Sequence, residues 1–327
     1  VGSRQTGDYT WLEERGDRGR MQIGSAFKSI SYYEQLILSI DYWLRYCDFD
    51  RNGLPVWNSS DHSGMDNQIS RAGRLDEFRF EGVDLACYIY RELQAMEQIA
   101  IKLGKTEDAK KFHLRATALA DKINTIFWDE EDGFYYDRDE HTGELVKVKS
   151  VAGFIPLWTG IVPPRRAERL VKEHLINPEE FWTKYPVACY AQTEPDYVQG
   201  DIRDWGCNWR GTTWIPTNYM IMHGLIDYGY MDEARELARK TLDLVYKCND
   251  VTREFYNGES GEGLGLKRFW GWSVLAYVMP FECELGYDPS KLDGSEIKPL
   301  GKELFQKEFP ASENPRPINT QLSQDGY

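Results

Sequence analysis

Two acidic residues, Asp66 and Glu254, stand out among the groups in this chain that could do chemistry. Asp66 lies in Ser63-Gly-Met-Asp-Asn67, and Glu254 in Glu-Phe-Tyr-Asn-Gly-Glu-Ser-Gly-Glu262. Both stretches are polar, rich in glycine and poor in helix formers. There are five His, no Cys-x-x-Cys pair and no phosphate-binding glycine loop, so carboxylates are the natural reactive groups. A carboxylic acid that protonates a leaving oxygen, paired with a carboxylate that activates water, is the equipment of glycoside hydrolysis. Each of these acids also has a plainer reading as a solvated loop residue or helix cap. Asp61 reads as a turn former, and Glu262 is the rival of Glu254 for the role of base.

Composition narrows the partners. Aromatics make up 14% of 327 residues, with 11 Trp and 20 Tyr, enough for a core and for flat faces that stack on sugar rings. The net charge is −14 and no segment gathers Lys or Arg into a patch, which argues against nucleic acid and anionic membrane surfaces. No apolar run approaches the about 18 residues of a membrane span, and no signal-peptide core is present. Six widely scattered Cys fit neither a disulfide framework nor a zinc site; they read as small buried hydrophobes of a reducing, cytoplasmic compartment.

The elements that must position the acids are helical. Leu85, Tyr88, Ile89, Met96 and Ala100 recur at helical spacing over Val83–Leu103. Ala109, Phe112, Ala116, Leu119, Ile123 and Ile126 form the next stripe. Further helices are expected over Trp214–Leu225 and Asp232–Lys247, the latter with Leu237, Thr241 and Val245 inward. Gly104-Lys-Thr-Glu-Asp-Ala109 and Gly229-Tyr-Met-Asp-Glu-Ala234 repeat one pattern, and Gly160–Ala167 echoes it. In each, a glycine ends one helix and acids or prolines start the next. Arrays of such helical hairpins close into an α/α toroid. Long Trp-, Gly- and acid-rich segments (51–80, 133–151, 186–213 and 251–267) separate the hairpins. The stretch from Gly133 to Val148 alternates like a small β-hairpin turning at His141-Thr-Gly143. Residues 1–290 read as the barrel domain and 291–327, rich in Pro, Asn, Ser and Gln, as a tail.

Five segments in fixed order carry a family resemblance. They are Asp48-Phe-Asp-Arg-Asn-Gly-Leu-Pro-Val-Trp57, Ser63–Asn67, Gly153-Phe-Ile-Pro-Leu-Trp158, Trp209-Arg-Gly-Thr-Thr-Trp214 and Glu254–Glu262. From about Ser29 to Leu285 the chain resembles glycoside hydrolase family 63, in the branch acting on small α-glucosides and α-mannosides such as glucosylglycerate and mannosylglycerate. The trehalases share its clan. The resemblance implies an all-α (α/α)6 barrel with long rim loops, and hydrolysis with inversion. It makes Asp66 the general acid and Glu254 the general base. It also implies a sugar pocket drawn from Trp57, Gly64, Asn67, Trp209, Arg210, Trp214, Tyr256, Glu262 and Trp272. Trp214 and Trp272 read equally well as core residues, and Thr212 stands where the family has proline. About nine helices can be counted, fewer than a complete barrel needs, so the chain is expected to be truncated or completed by a second subunit. On that count a non-catalytic carbohydrate-binding or assembly protein is the alternative reading.

No cofactor is expected. Asp48-x-Asp50-x-Asn52-Gly53 copies the first half of a calcium loop, but Ser59 stands where the twelfth-position Glu would be. An Asx-rich turn is the main reading, with structural calcium, which some family members bind here, as the alternative.

Overall fold

The computed structural model describes Ser3 and residues 7–15, 20–23, 26–72, 79–200, 207–248, 251–265 and 269–285. Asp8–Asp288 forms one compact unit; a second, Val1–Gly7 with Pro289–Tyr327, falls almost wholly outside the described residues, as does the expected tail. The described α-helices longer than a single turn are α1 (Tyr32–Tyr46), α2 (Val83–Lys102), α3 (Thr106–Ile126), α4 (Ile155–Thr159), α5 (Pro164–Arg169, continuing as a wider turn to Leu175), α6 (Ile215–Asp227), α7 (Met231–Lys247) and α8 (Leu275–Leu285).

Burial sorts these helices into two layers. On α2 the buried residues include Leu85, Ala86, Cys87, Ile89 and Tyr90, too many neighbours for one stripe, so the helix is enclosed. On α3 only Ala109, Phe112, Ala116, Leu119 and Ile123 are buried, the single stripe of an outer helix. α2 packs on α4, α4 on α6 and α6 on α8, while α3 and α7 back α2 and α6. Gly224 lets α6 approach α4 closely, because a Cβ there would meet Leu157 Cβ at 2.8 Å. The result is a predominantly helical, toroid-like arrangement of inner and outer helices.

The repeated glycine signal marks the inner-to-outer turns. Gly104, Gly160 and Gly229 have φ of 72, 74 and 81°, the left-handed conformation that ends a helix and that glycine adopts without strain. α1 starts on a reciprocal cap: the Glu34 amide donates to Ser31 Oγ at 3.2 Å, and the Ser31 amide to Glu34 Oε2 at 2.7 Å. The long connections all run from an outer helix to the next inner one. They therefore gather at one end, over the inner-helix N-termini.

Those connections hold more structure than their sequences foretell. β1 (Arg20–Ile23) and β2 (Ala26–Ser29) pair near the start. β3 (Val56–Trp57), β4 (Phe80–Glu81), β7 (Asp137–Asp139) and β8 (Leu145–Val146) form one sheet in that order, and β5 (Trp128–Asp129) pairs with β6 (Phe134–Tyr135). The hairpin expected from Gly133 onward is thus divided. Its turn is as expected, with the Gly143 amide on Asp139 O at 2.8 Å, but Phe134–Tyr135 pairs backward with Trp128–Asp129, while Asp137–Asp139 and Leu145–Val146 enter the larger sheet. The cause is packing: Phe134 is drawn into a buried cluster with Phe154 and Phe181, which pulls its segment away from the alternating strand. β9 (Phe255–Tyr256) pairs with β10 (Gly263–Leu264), and Thr213 bridges to Tyr256.

Candidate active site

The Asp66 loop is built by short-range capping. Ser59 Oγ accepts from the His62 amide at 3.2 Å and starts a single helical turn, Ser60–Ser63. Gly64, exposed and at φ 71°, ends that turn by donating to Asp61 O. Asp61 is exposed on the turn, as its turn-former reading requires. Beyond it Met65, Asn67 and Gln68 are buried, and Asp66 between them is half-buried.

Asn67 fastens this loop to the Trp209 segment. Its Oδ1 accepts from the Trp209 amide at 2.7 Å, its Nδ2 donates to Cys207 O at 3.3 Å, and its carbonyl accepts from Arg210 Nε at 3.0 Å. The Cys207 thiol then donates to Asp66 Oδ2 at 3.2 Å.

A buried ion cluster supports the loop from behind. Arg71 donates to Asp84 at 2.7 and 3.1 Å and to Asp137 at 3.0 and 3.2 Å, with its side chain wholly enclosed. The two carboxylates hold the Arg71 pKa above its ordinary value against the opposing effect of burial. Asp84 also accepts from Trp57 Nε1 at 3.1 Å, so the Trp57 indole is engaged in this support.

The aromatic residues form a stack. Trp209 lies on Trp214 with ring centroids 3.8 Å apart and planes 13° from parallel, and Trp214 lies on Phe255 at 4.9 Å. Trp214 precedes α6 and donates from its indole to Asn208 O at 2.9 Å; at 3% exposure it belongs to the core side of its two readings. Thr212, in place of the usual proline, uses its hydroxyl to bond Asn208 O and close the loop.

Glu254 precedes β9. Its carbonyl accepts from Trp272 Nε1 at 3.1 Å, and its side chain occupies space that a Cβ on Gly265 would invade. Tyr256 is fully buried, with its hydroxyl accepting from the Arg253 amide at 2.9 Å. Trp272 remains 39% exposed. Glu262 lies exposed at the end of the β9–β10 turn.

The Cys207 and Cys248 thiols respond to different acids. The Cys207 thiol is pushed far above its ordinary pKa, first by burial, then by Asp66 and then by Glu254. One thiol therefore feels both carboxylates. The Cys248 thiol is raised by burial first, with Glu262 adding to the rise.

The loop from Asp48 to Gly53 is closed by its own side chains, as an Asx-rich turn would be. Asp50 Oδ1 accepts from the Asn52 amide, Asp48 Oδ2 from Gly53 and Asn52 Oδ1 from Leu54, while the Lys122 ammonium bonds Asn52 O. Among the described residues no group of three or more acids, His and Cys is placed to hold a metal ion.

The residues that sequence reasoning missed are Arg71, Asp84, Asp137, Cys207 and Gly265. The available signal was Asp84, an acid inside the apolar run that opens α2.

Comparison with known proteins bears on this assembly. The family model of the mannosylglycerate hydrolase MGH1-like glycoside hydrolase domain matches residues 25–273. The chain belongs to this glycoside hydrolase family. It is 34% identical over 150 residues to mannosylglycerate hydrolase from Thermus thermophilus, covering 45% of this chain and 33% of that protein. It is 31% identical over 200 residues to mannosylglycerate hydrolase from Rubrobacter radiotolerans, covering 60% and 42%. The matches thus span less than half the length of these relatives. The crystal structure of a GH63 mannosylglycerate hydrolase from Thermus thermophilus in complex with glucose superposes with a TM-score of 0.63 at 25% identity, covering 76% of this chain and 69% of that one. For this MGH1-like chain, no helix among the described residues is long and apolar enough to cross a membrane.

Proposed function

We propose that this chain is an inverting glycoside hydrolase acting on an α-glucoside or α-mannoside, such as a small oligosaccharide or a glucosyl- or mannosylglycerate. Asp66 is the general acid and Glu254 the general base. The observation that carries this reading is the shared thiol: Cys207 bonds Asp66 and is pushed up by Glu254 as well. Geometry supports the same pairing: Asn67 and Cys207 join the Asp66 loop to the Trp209 segment, and Trp209, Trp214 and Phe255, the residue after Glu254, stack in succession.

The chemistry follows from that pairing. Asp66, protonated, gives its proton to the glycosidic oxygen as the bond to the anomeric carbon breaks. Glu254 takes a proton from a water that attacks the opposite face of the sugar, which needs the carboxyls about 6.5–9.5 Å apart. Trp272, the most exposed aromatic of the expected set, offers a face to the ring, and Arg210 is held at the loop junction to meet hydroxyls.

The test is hydrolysis of a panel of α-linked glucosides and mannosides, with proton NMR reading the anomer released first. The β-anomer is expected; an initial α-anomer contradicts inversion. Asp66→Asn and Glu254→Gln should each keep the fold and lower turnover by about 10²–10⁴-fold. Sugar affinity without turnover in the wild type would move the chain to the carbohydrate-binding reading.

A further inference from the structure

Glu254 lies one residue before β9, outside any helix or strand that would fix its backbone. Side chains fix it instead. The Arg253 carbonyl accepts from Ser273 Oγ at 2.6 Å, and the Glu254 carbonyl from Trp272 Nε1 at 3.1 Å. These two bonds hold the peptide planes on either side of the Glu254 Cα, and so the direction in which its side chain leaves the chain. The Arg253 amide, one unit further back, donates to the Tyr256 hydroxyl at 2.9 Å.

Tyr256 reaches back from an anchored point. Its amide donates to Thr213 O at 3.0 Å, and the Thr213 amide donates to Tyr256 O at 2.8 Å. Tyr256 and Ser273 are both 0% exposed, so neither hydroxyl has a face to offer a sugar. Burial pushes the Tyr256 pKa up to about 12, with the Arg253 amide offsetting part of the rise, so the phenol stays neutral. The frame closes on the carboxylate itself. Gly263 leaves room for the Arg253 side chain, whose Nη2 donates at 3.4 Å to the carbonyl of Gly265, the glycine that abuts the Glu254 side chain.

We propose that Tyr256 is a positioning residue rather than the sugar contact expected of it: its hydroxyl, with that of Ser273, clasps the Arg253 backbone and so aims the Glu254 carboxylate. The inference rests on the reading of Glu254 as the general base. A hydroxyl that touches only backbone cannot add affinity for the sugar, but it can hold the base where the attacking water is. Its loss therefore falls on turnover and not on binding.

Steady-state kinetics of the full chain, Tyr256→Phe and Ser273→Ala test it, on the panel of α-linked glucosides and mannosides. Tyr256→Phe keeps the buried ring and removes only the hydroxyl. It should lower kcat by about tenfold, within the about 10²-fold that a misplaced group can cost, with KM changed less than about twofold. Ser273→Ala should behave alike. The acid limb of the kcat/KM profile, which reports the base of the free enzyme, should move along the pH axis in Tyr256→Phe, whereas a smaller folded fraction would only scale the profile. Calorimetric titration with the sugar released should give wild-type affinity and stoichiometry. A raised KM with weaker sugar binding at unchanged kcat would make Tyr256 a sugar contact and overturn the inference. Unchanged kinetics, or a profile that is only scaled, would overturn it too. If the wild type hydrolyses none of these substrates, the reading of Glu254 fails instead. Hydrogen exchange of the Arg253 amide then decides the clasp: faster exchange in Tyr256→Phe supports it, and equal exchange refutes it.

Discussion

The Cys207 thiol points its proton at Asp66 Oδ2 from 3.2 Å. Burial and two nearby carboxylates all disfavour the thiolate, so Cys207 stays a neutral donor across the working pH range. Native protein treated with iodoacetamide at pH 8 should therefore leave Cys207 unmodified, as peptide mass spectrometry would show, while unfolded protein is modified. Rapid labelling of the native chain would contradict the geometry. Cys207→Ser, which keeps a donor, should preserve activity better than Cys207→Ala, the difference being a few-fold, in line with the energy of about 0.5–1.5 kcal/mol of one ordinary hydrogen bond.

Asn67→Ala should damage both stability and activity. It leaves the buried Trp209 amide and the Cys207 carbonyl without their partner, at about 1–3 kcal/mol for each group. For a domain of this size that is roughly a 2–4 °C fall in Tm per kcal/mol, readable by calorimetry. Asn67→Asp keeps the acceptor for Trp209 but buries a charge and removes the donor to Cys207. It should be no better than alanine.

Gly265→Ala separates positioning from folding. Gly265 has φ 81°, and a Cβ there would lie 2.7 Å from Glu254 Cβ and would run into Glu254 Oε2. Displacing the proposed base by even about 1 Å can cost about 10²-fold in rate. The expected result is a loss in kcat well beyond the loss in thermal stability. Wild-type turnover in Gly265→Ala would show that the Glu254 carboxyl has no fixed place in the reaction.

Stability should depend on pH through Glu140. Its Oε1 accepts from the Asp50 amide at 3.1 Å, while Oε2 has no hydrogen-bond partner among the described residues and only a distant Arg79, at 3.7 Å. Burial pushes its pKa up, Arg79 offsets part of that, and Asp50 and Asp48 add to the rise. The folded chain thus holds this proton more tightly than the unfolded one. The resulting stability is fully present below the ordinary glutamate value and is lost as pH rises through the folded pKa. Glu140→Gln should melt above the wild type at pH 8, with the gap closing toward pH 4. A gap that does not change with pH would rule this out.

Much of the frame was legible because it rests on local signals. The stripe from Ala109 to Ile123 and the glycines at 104, 160 and 229 each report a helix or its end through their own spacing and φ. The candidate acids are proposed from ordered motifs, which the sequence displays directly. What escaped was long-range pairing. Nothing near Arg71 indicates that Asp137 will neutralise it, and nothing in Phe134-Tyr-Tyr-Asp137 says that the strand divides until Phe154 and Phe181 are in place. Trp214 was ambiguous for the same reason. Its core position depends on Trp209 and Phe255 stacking on its two sides.

The bond from Trp209 to Asn67 spans 142 residues of chain. During synthesis the acid loop leaves the ribosome long before its anchor has been made. At about 5–20 residues per second, the delay is roughly 7–30 s. For that interval Asn67 and Cys207 cannot meet, and Asp66 has no seat. The nascent chain therefore carries a helical scaffold before it carries the proposed site, which is assembled only when the third rim segment is delivered.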